Sequence, residues 1–258
     1  MKQHNKPLIA QRFARARNSY TREARVQQQM AEKMLRLLLT HTAARPLRRV
    51  VEFGCGTGSY SRLLQQALHP DRLLLNDLCP EMEECVAPLL KMPTTRFVPG
   101  DAETLTFPAD TDAITSCATL QWFDAPEQFF GRCHHCLTAD GYLAFSTFGH
   151  RNMQEVRTTT GNGLDYLSMD ELNDLLTSSC YTLLHAEEET VTLSFSTPTD
   201  VLRHLQQTGV TGTEKVVWTR GRLQQFTDRY RQQFGNPETG EVALTYHPIY
   251  IIAQKRTR

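Results

Sequence analysis

The residues of this 258-residue chain best placed to do chemistry are Val50-Val51-Glu52-Phe53-Gly54-Cys55-Gly56-Thr57-Gly58. The apolar start reads as a buried strand, the spaced glycines as a turn, and Ser59 to about Leu68 as the helix the turn opens. Glycines at 54, 56 and 58 let the backbone take positive φ and come close to a ligand, while the first N–H groups of the helix point at the same place. Such an arrangement builds a nucleotide cradle. The dinucleotide fingerprint G-x-G-x-x-G would need a glycine at position 59, which is Ser59, so tight pyrophosphate packing is not indicated.

Two acids follow at useful spacing. Arg72-Leu73-Leu74-Leu75-Asn76 reads as a second strand ending at Asp77, about twenty residues after the glycine turn, where a carboxylate can accept bonds from ribose hydroxyls. The competing role for Asp77 is a helix cap before Pro80. Arg96-Phe97-Val98 reads as a third strand leading to Gly100-Asp101-Ala102-Glu103. Ala113 to Cys117 reads as a fourth, running into Ala118-Thr119-Leu120-Gln121-Trp122, a loop where cofactor and acceptor would meet.

The first motif resembles the E-x-G-x-G-x-G signature of Rossmann-like S-adenosylmethionine (SAM)-dependent methyltransferases, carried here by Glu52, Gly54, Gly56 and Gly58. The resemblance implies SAM as cofactor and a parallel α/β sheet with helices on both faces. It implies that the acid after the third strand, Asp101, bonds the adenine amino group. The cofactor set it points to is Glu52, Gly54, Gly56, Gly58, Asp77, Asp101, Ala102 and Ala118.

The elements that must position these residues fall into one methyltransferase domain of three parts. Residues 1–47 hold an N-terminal helical arm, from about 8 to 40, with Phe13, Ala16, Tyr20, Ala24 and Gln27 at roughly helical spacing. Residues 48–149 form the cofactor-binding sheet, ending in a fifth strand from Gly141 to Gly149. Right-handed crossovers place the ligand above the carboxyl ends of its strands. In residues 150–258, Ser168-Met169-Asp170-Glu171 is a capping box opening a helix, and Glu188 to Ser196 alternates as a strand. Pro198 to Leu205 and Arg222 to Phe234 read as helices of a lid, about 198–235, inserted before a final strand from Leu244 to Ala253.

Composition sets further bounds. Seven cysteines, at 55, 79, 85, 117, 133, 136 and 180, are odd in number and irregular in spacing, which suits reduced thiols rather than a disulfide framework. Cys133-His134-His135-Cys136 offers a zinc half-site with no second half, in a segment that reads as a packing helix from Asp124 to Leu137, so no metal is expected. No run of about 18 apolar residues and no signal-peptide core are present, which makes a cytoplasmic enzyme the expectation and a membrane partner not.

The net charge of zero conceals a division. Residues 1–50 hold 12 Lys/Arg against 2 Asp/Glu, residues 51–200 hold 7 against 22, and residues 201–258 hold 9 against 4. Basic charge therefore flanks the sheet, with Arg12, Arg15, Arg17, Arg22 and Arg25 concentrated in the arm. Such a surface expects an anionic partner, whether nucleic acid, an acidic protein or a phosphopantetheine-bearing carrier; a solvated basic helix is the bland alternative.

A closer resemblance rests on Phe13-x-x-Ala16-x-x-x-Tyr20, Leu120-Gln121-Trp122, Phe145-Ser146-Thr147-Phe148-Gly149, Gly209-Val210-Thr211-Gly212-Thr213 and Leu244-Thr245-Tyr246-His247-Pro248-Ile249-Tyr250. Together these look like the malonyl-acyl-carrier-protein O-methyltransferases, across essentially the whole chain. The resemblance implies methylation of the free carboxyl of a malonyl thioester at the start of biotin synthesis, with an acidic carrier protein docking on the basic arm and lid. Other readings are an O-methyltransferase of another small carboxylate and a SAM-fold RNA-binding module, although nucleic acid is the less expected partner. Neither N/D-P-P-Y/F after the fourth strand nor a Pro-Cys nucleophile is present, so base methylation is not indicated. A carboxylate acceptor is ionised near neutral pH and needs no general base. The expected catalytic set is Tyr20 over the cofactor, Tyr246 and His247 near the acyl group, and Arg151 steering the malonyl carboxylate or phosphopantetheine.

Overall fold

The computed structural model describes residues 3–42, 45–210 and 218–256. The first helix, α1 (Lys6–Glu23), starts at Asn5, whose side-chain oxygen accepts the Leu8 amide at 3.1 Å, with Pro7 in its first turn. The expected helical arm consists of two helices. At Ala24 (φ −82°, ψ 52°) the backbone leaves helical geometry, and α2 (Arg25–Thr42) sets off against the sheet, burying Val26, Met30, Met34 and Leu38 at helical spacing.

Alternation of strand and helix follows: β1 (Arg49–Phe53), α3 (Ser59–Leu68), β2 (Arg72–Asp77), α4 (Met82–Leu90), β3 (Thr95–Pro99), β4 (Thr111–Cys117), a short 3₁₀ turn (Leu120–Trp122), α5 (Pro126–Cys136) and β5 (Leu137–Phe148). Beyond them lie α6 (Gln154–Thr160), α7 (Met169–Ser178), β6 (Tyr181–Glu188), β7 (Val191–Phe195), α8 (Pro198–Gln207), α9 (Arg220–Phe234), β8 (Val242–Tyr246) and β9 (Pro248–Lys255). The Ser168–Glu171 capping box opens α7 as expected. Among the described residues the main sheet has seven strands in the order β3-β2-β1-β4-β5-β9-β6, with β9 antiparallel to both neighbours.

Helices cover both faces of this sheet. On one face Met30, Met34 and Leu38 of α2 pack with Leu64 of α3 and Val86 of α4; on the other Phe129, Phe130 and Cys133 of α5 pack with Leu172 and Leu176 of α7. Strands β1 and β4 are buried almost throughout, as a central parallel strand requires. None of the described helices is long and apolar enough to cross a membrane, and the described residues hold no cluster of metal-ligating side chains.

The C-terminal third departs from the sequence reading in two places. The single strand expected over 188–196 is the end of β6 and all of β7. The expected last strand, 244–253, divides at His247 into β8 and β9, which belong to different sheets. Pro248 has no N–H to give a ladder. At His247 the carbonyl instead accepts the Gly149 amide at 2.8 Å, and the amide donates to Asn152 Oδ1 at 3.3 Å. The helices expected as a lid, α8 and α9, fall in the chain between β7 and β8, which form a small antiparallel pair of their own. Thr211, Gly212 and Thr213 of the family-like motif lie outside the described residues.

Candidate cofactor and acceptor site

The glycine turn is shaped by the backbone it must form. Gly54, Gly56 and Gly58 all have positive φ (67°, 53° and 80°). A side chain at Gly54 would run into Thr119, with Oγ1 2.2 Å from the added Cβ, whereas one at Gly56 meets no protein atom within 4 Å. Gly56 borders a cavity at the carboxyl ends of the strands, lined by α1, α2 and the loops that follow β1, β2, β3 and β4. Gly58 does not line it. That glycine is the left-handed N-cap of α3, packed against Val86, and so shapes the turn from behind.

Glu52, Gly54, Gly56, Asp77, Asp101, Ala102 and Ala118 all line this one cavity, with Tyr20 of α1. Asp77 is buried, and both oxygens are engaged: Oδ2 accepts the Gly56 amide and Oδ1 the Cys79 amide, each at 2.8 Å. Burial pushes its carboxyl up to about 6, against the pull of those two amides. Glu52 is 1% exposed, and burial together with the nearby Asp77 charge raises it to about 8. Its Oε2 has no hydrogen-bond partner in the protein. Asn76 ties the next loop in place, its side-chain amide donating to the carbonyls of Val98 and Gly100 at 3.0 and 2.9 Å. Asp101 follows directly, its Oδ1 accepting the Glu103 amide at 3.0 Å.

Ala118 carries strain that its residue type does not announce. Its φ is +57° at the point where β4 leaves the sheet, and its amide donates to Ser146 O at 3.0 Å. The roof of the cavity comes from the two arm helices: Ile9, Phe13 and Tyr20 from α1, Gln27 and Ala31 from α2. Gln27 is buried and its Oε1 has no hydrogen-bond partner. Sequence reasoning used Phe13 and Gln27 as markers of helical spacing and of family resemblance, with no place in the cavity, and it gave no role to Ile9 or Lys6. The signal was the run of apolar and amide residues on the inner face of the arm.

The other three expected catalytic residues lie off the cavity wall. Tyr246 is fully buried one residue behind it: its hydroxyl pairs with His204 Nε2 of α8 at 2.7 Å, and the Gln27 side chain reaches the same hydroxyl. Burial drives the Tyr246 phenol well up and the His204 imidazole down, so both are neutral at physiological pH. His247 is fully buried at the β8–β9 break, where Nδ1 accepts the Arg151 amide at 3.2 Å and Nε2 faces Glu188 Oε2 at 3.3 Å. Burial, then the Arg151 cation, lowers its pKa, with Glu188 opposing. The Arg151 guanidinium lies 3.0 Å from His247 Nε2 and 3.4 Å from Glu188 Oε1. These residues brace the turn after β5 and are not gathered around the cavity.

Comparison with known proteins agrees with this geometry. Residues 51–145 match a family model described as a methyltransferase domain. Among solved structures the chain is similar to the YcgJ protein from Bacillus subtilis (TM-score 0.64, 17% identical, covering 88% of this chain and 100% of that one). It is also similar to 1,6-didemethyltoxoflavin-N1-methyltransferase of Burkholderia thailandensis, solved with S-adenosylhomocysteine (TM-score 0.58, 18% identical, covering 100% and 92%). Those likenesses are of fold. Sequence relatives reach further: the chain is 59% identical to the malonyl-acyl-carrier-protein O-methyltransferase of Bacteroides helcogenes, with 98% of this chain and 99% of that protein covered. It is 52% identical, over 98% and 99%, to the protein of that name in Bacteroides thetaiotaomicron. Identity at this level, over matches that span nearly the whole of both chains, reaches well past the shared methyltransferase core: the chain belongs to the malonyl-acyl-carrier-protein O-methyltransferase family.

Proposed function

We propose that this protein uses SAM to methylate the free carboxyl of a malonyl thioester on acyl-carrier protein, giving the malonyl methyl ester from which pimeloyl formation for biotin begins. The observation that carries the reading is the near full-length identity to relatives of that name. The cavity fits the cofactor. Gly56 leaves its floor open, Asp77 keeps lone pairs for ribose hydroxyls, Asp101 and Ala102 border the adenine end, and the buried Glu52 carboxyl, raised to about 8, lines the same space.

When bound, SAM supplies an electrophilic methyl group on a sulfonium. The chain's own residues then have three tasks. They hold the acceptor oxygen in line with that methyl, keep water away, and leave the malonyl carboxylate its charge. The carboxylate is ionised near pH 7, so no side chain has to take a proton from it. Tyr20, whose phenol burial raises far above its ordinary value, stays neutral and offers a hydroxyl and an aromatic face to the cavity. Tyr246 works from behind, its hydroxyl bonded to His204 Nε2 and within reach of Gln27. His247 and Arg151 hold the turn after β5 in place.

The basic arm and lid provide the docking face for the acidic carrier protein in this reading. Arg15, Arg22 and Arg25 on the arm and Arg220, Arg222, Arg229 and Arg231 on α9 are exposed. Incubation with labelled SAM and malonyl-carrier protein, followed by mass measurement of the acyl group, tests the assignment: one added methyl on the malonyl group is expected, and methylation of free malonate or another small acid in preference to the carrier-bound group would overturn it.

A further inference from the structure

Lys6, in the first turn of α1, reaches across the cavity mouth to three carboxylates borne on two separate loops. Its Nζ lies 2.6 Å from Asp101 Oδ2, bonds Glu103 Oε2 more closely still, and stands 3.9 Å from Asp124 Oδ2. Asp101 and Glu103 follow β3; Asp124 follows the 3₁₀ turn after β4. Glu103 is itself built in, accepting the amides of Asp124 and Ala125 at 2.9 and 2.7 Å. Beside this cluster, His4 holds Asp124 Oδ1 through its backbone amide at 2.7 Å and its ring Nδ1 at 2.8 Å.

The side chain of Lys6 is 19% exposed. Burial works against its charge, yet the bonds to Asp101 and Glu103 outweigh that and raise its pKa, so it stays a cation among acids that would otherwise repel one another. The same helix continues the closure with apolar contacts: Ile9 packs with Trp122 and Leu164, and Phe13 meets Trp122 edge-on at 5.7 Å. Lys6, Ile9, Phe13 and Tyr20 line one cavity from a single helix, so that helix cannot move away without opening the site.

We propose that Lys6 is a positioning residue of the cofactor site: it holds the Asp101 carboxylate for the adenine end and fastens α1 over the cavity, so that cofactor exchange requires this ionic clamp to break. The inference rests on the cofactor reading given above. Replacing Lys6 by Met keeps the stem and removes the charge; Lys6→Arg keeps the charge.

The experiment is displacement of a bound fluorescent analogue of S-adenosylhomocysteine, followed in stopped flow at rising salt. In the unmodified protein the dissociation rate is expected to rise with salt, because screening weakens the clamp. In Lys6→Met it should be faster by on the order of 10-fold and insensitive to salt, with Lys6→Arg close to the unmodified protein. A Lys6→Met protein that binds and releases the analogue within two-fold of the unmodified rate, or that keeps the salt dependence, overturns the proposal. Loss of folding in Lys6→Met would leave Lys6→Arg and the salt dependence of the unmodified protein to decide: a flat salt profile there also overturns it. Failure of the unmodified protein to bind the analogue at all would instead count against the cofactor reading.

Discussion

The Asp77 carboxylate accepts the Gly56 amide at 2.8 Å, so the acid that ends β2 holds the turn that follows β1. One side chain thus shapes the turn and lines the cavity the turn borders, so its ionisation bears on both.

Asp77 is raised from 3.8 to about 6, first by burial. If ribose hydroxyls donate to the ionised carboxylate, as the proposed site has them do, proton and ligand compete, and affinity for S-adenosylhomocysteine should rise with pH through 6 and level off above it. Between pH 7.5 and 5.5 a loss of about four-fold is expected from this group alone. Calorimetric titration at both pH values checks this. Asp77→Asn should bind weakly and lose that step; retention of the step would place the titrating group elsewhere.

Glu52 predicts a stability effect of defined sign. Its folded-state pKa of about 8 exceeds the ordinary 4.5, so the folded protein binds the proton more tightly than the unfolded chain. The resulting stabilisation is complete below about pH 4.5 and is lost as pH rises through 8, with a slope of up to about 1.4 kcal/mol per pH unit between. Glu52→Gln mimics the protonated form. In the ligand-free protein its unfolding midpoint in urea should exceed that of the unmodified protein at pH 9, and the gap should close toward pH 5.

Gly54 and Gly56 should separate folding from binding. Gly54→Ala places a methyl group inside Thr119 at a φ of +67° and should cost about 2–4 kcal/mol of stability. Gly56→Ala meets no protein atom, so only the left-handed strain of about 1 kcal/mol remains. Its methyl group would nevertheless stand in the cavity, and affinity for S-adenosylhomocysteine should fall by on the order of 10-fold or more, equivalent to about 1.4 kcal/mol. Melting curves with and without ligand distinguish the two; equal behaviour of both variants would contradict the geometry.

Reversal of Arg15, Arg22 and Arg222 to Glu probes carrier docking. KM for malonyl-carrier protein should rise by on the order of 10-fold and its salt dependence should flatten, while use of malonyl-coenzyme A changes less. Equal losses on both substrates would remove these residues from the docking face.

Tyr246→Phe deletes the hydroxyl between Gln27 and His204 and leaves a buried imidazole nitrogen without its partner, at a cost of about 1–3 kcal/mol. The rate constant for transfer should fall with cofactor affinity little changed. Weakened cofactor binding with an unaltered rate would mean that Tyr246 acts on the cofactor side.

Much of the core was legible because local pattern and global role coincide there. The β1 turn, Asp77, Asp101 and the α7 capping box are defined by residues within a few positions of one another, and the parallel sheet demands the continuous apolar runs that the sequence displays. Tyr246, His247 and Arg151 were harder. Their surroundings depend on where β8 ends and on which sheet β9 joins, a choice made by Pro248 and by distant partners at Gly149, Asn152 and Glu188. The break at Ala24 is equally silent, since alanine favours helix and only packing on both sides turns the chain there. Lys6 gave no signal because its three acids lie some hundred residues away.

The chain leaves the main sheet after β6 and returns at β9, and all of α8, α9 and the β7–β8 pair lies within that excursion. Most of the cradle, in contrast, is made by residues before position 120. The cradle and the excursion are therefore written in separate stretches of sequence. Insertions, deletions or wholesale exchange between β6 and β9 leave the residues that line the cradle unchanged, which gives evolution, or an engineer, a cassette to replace.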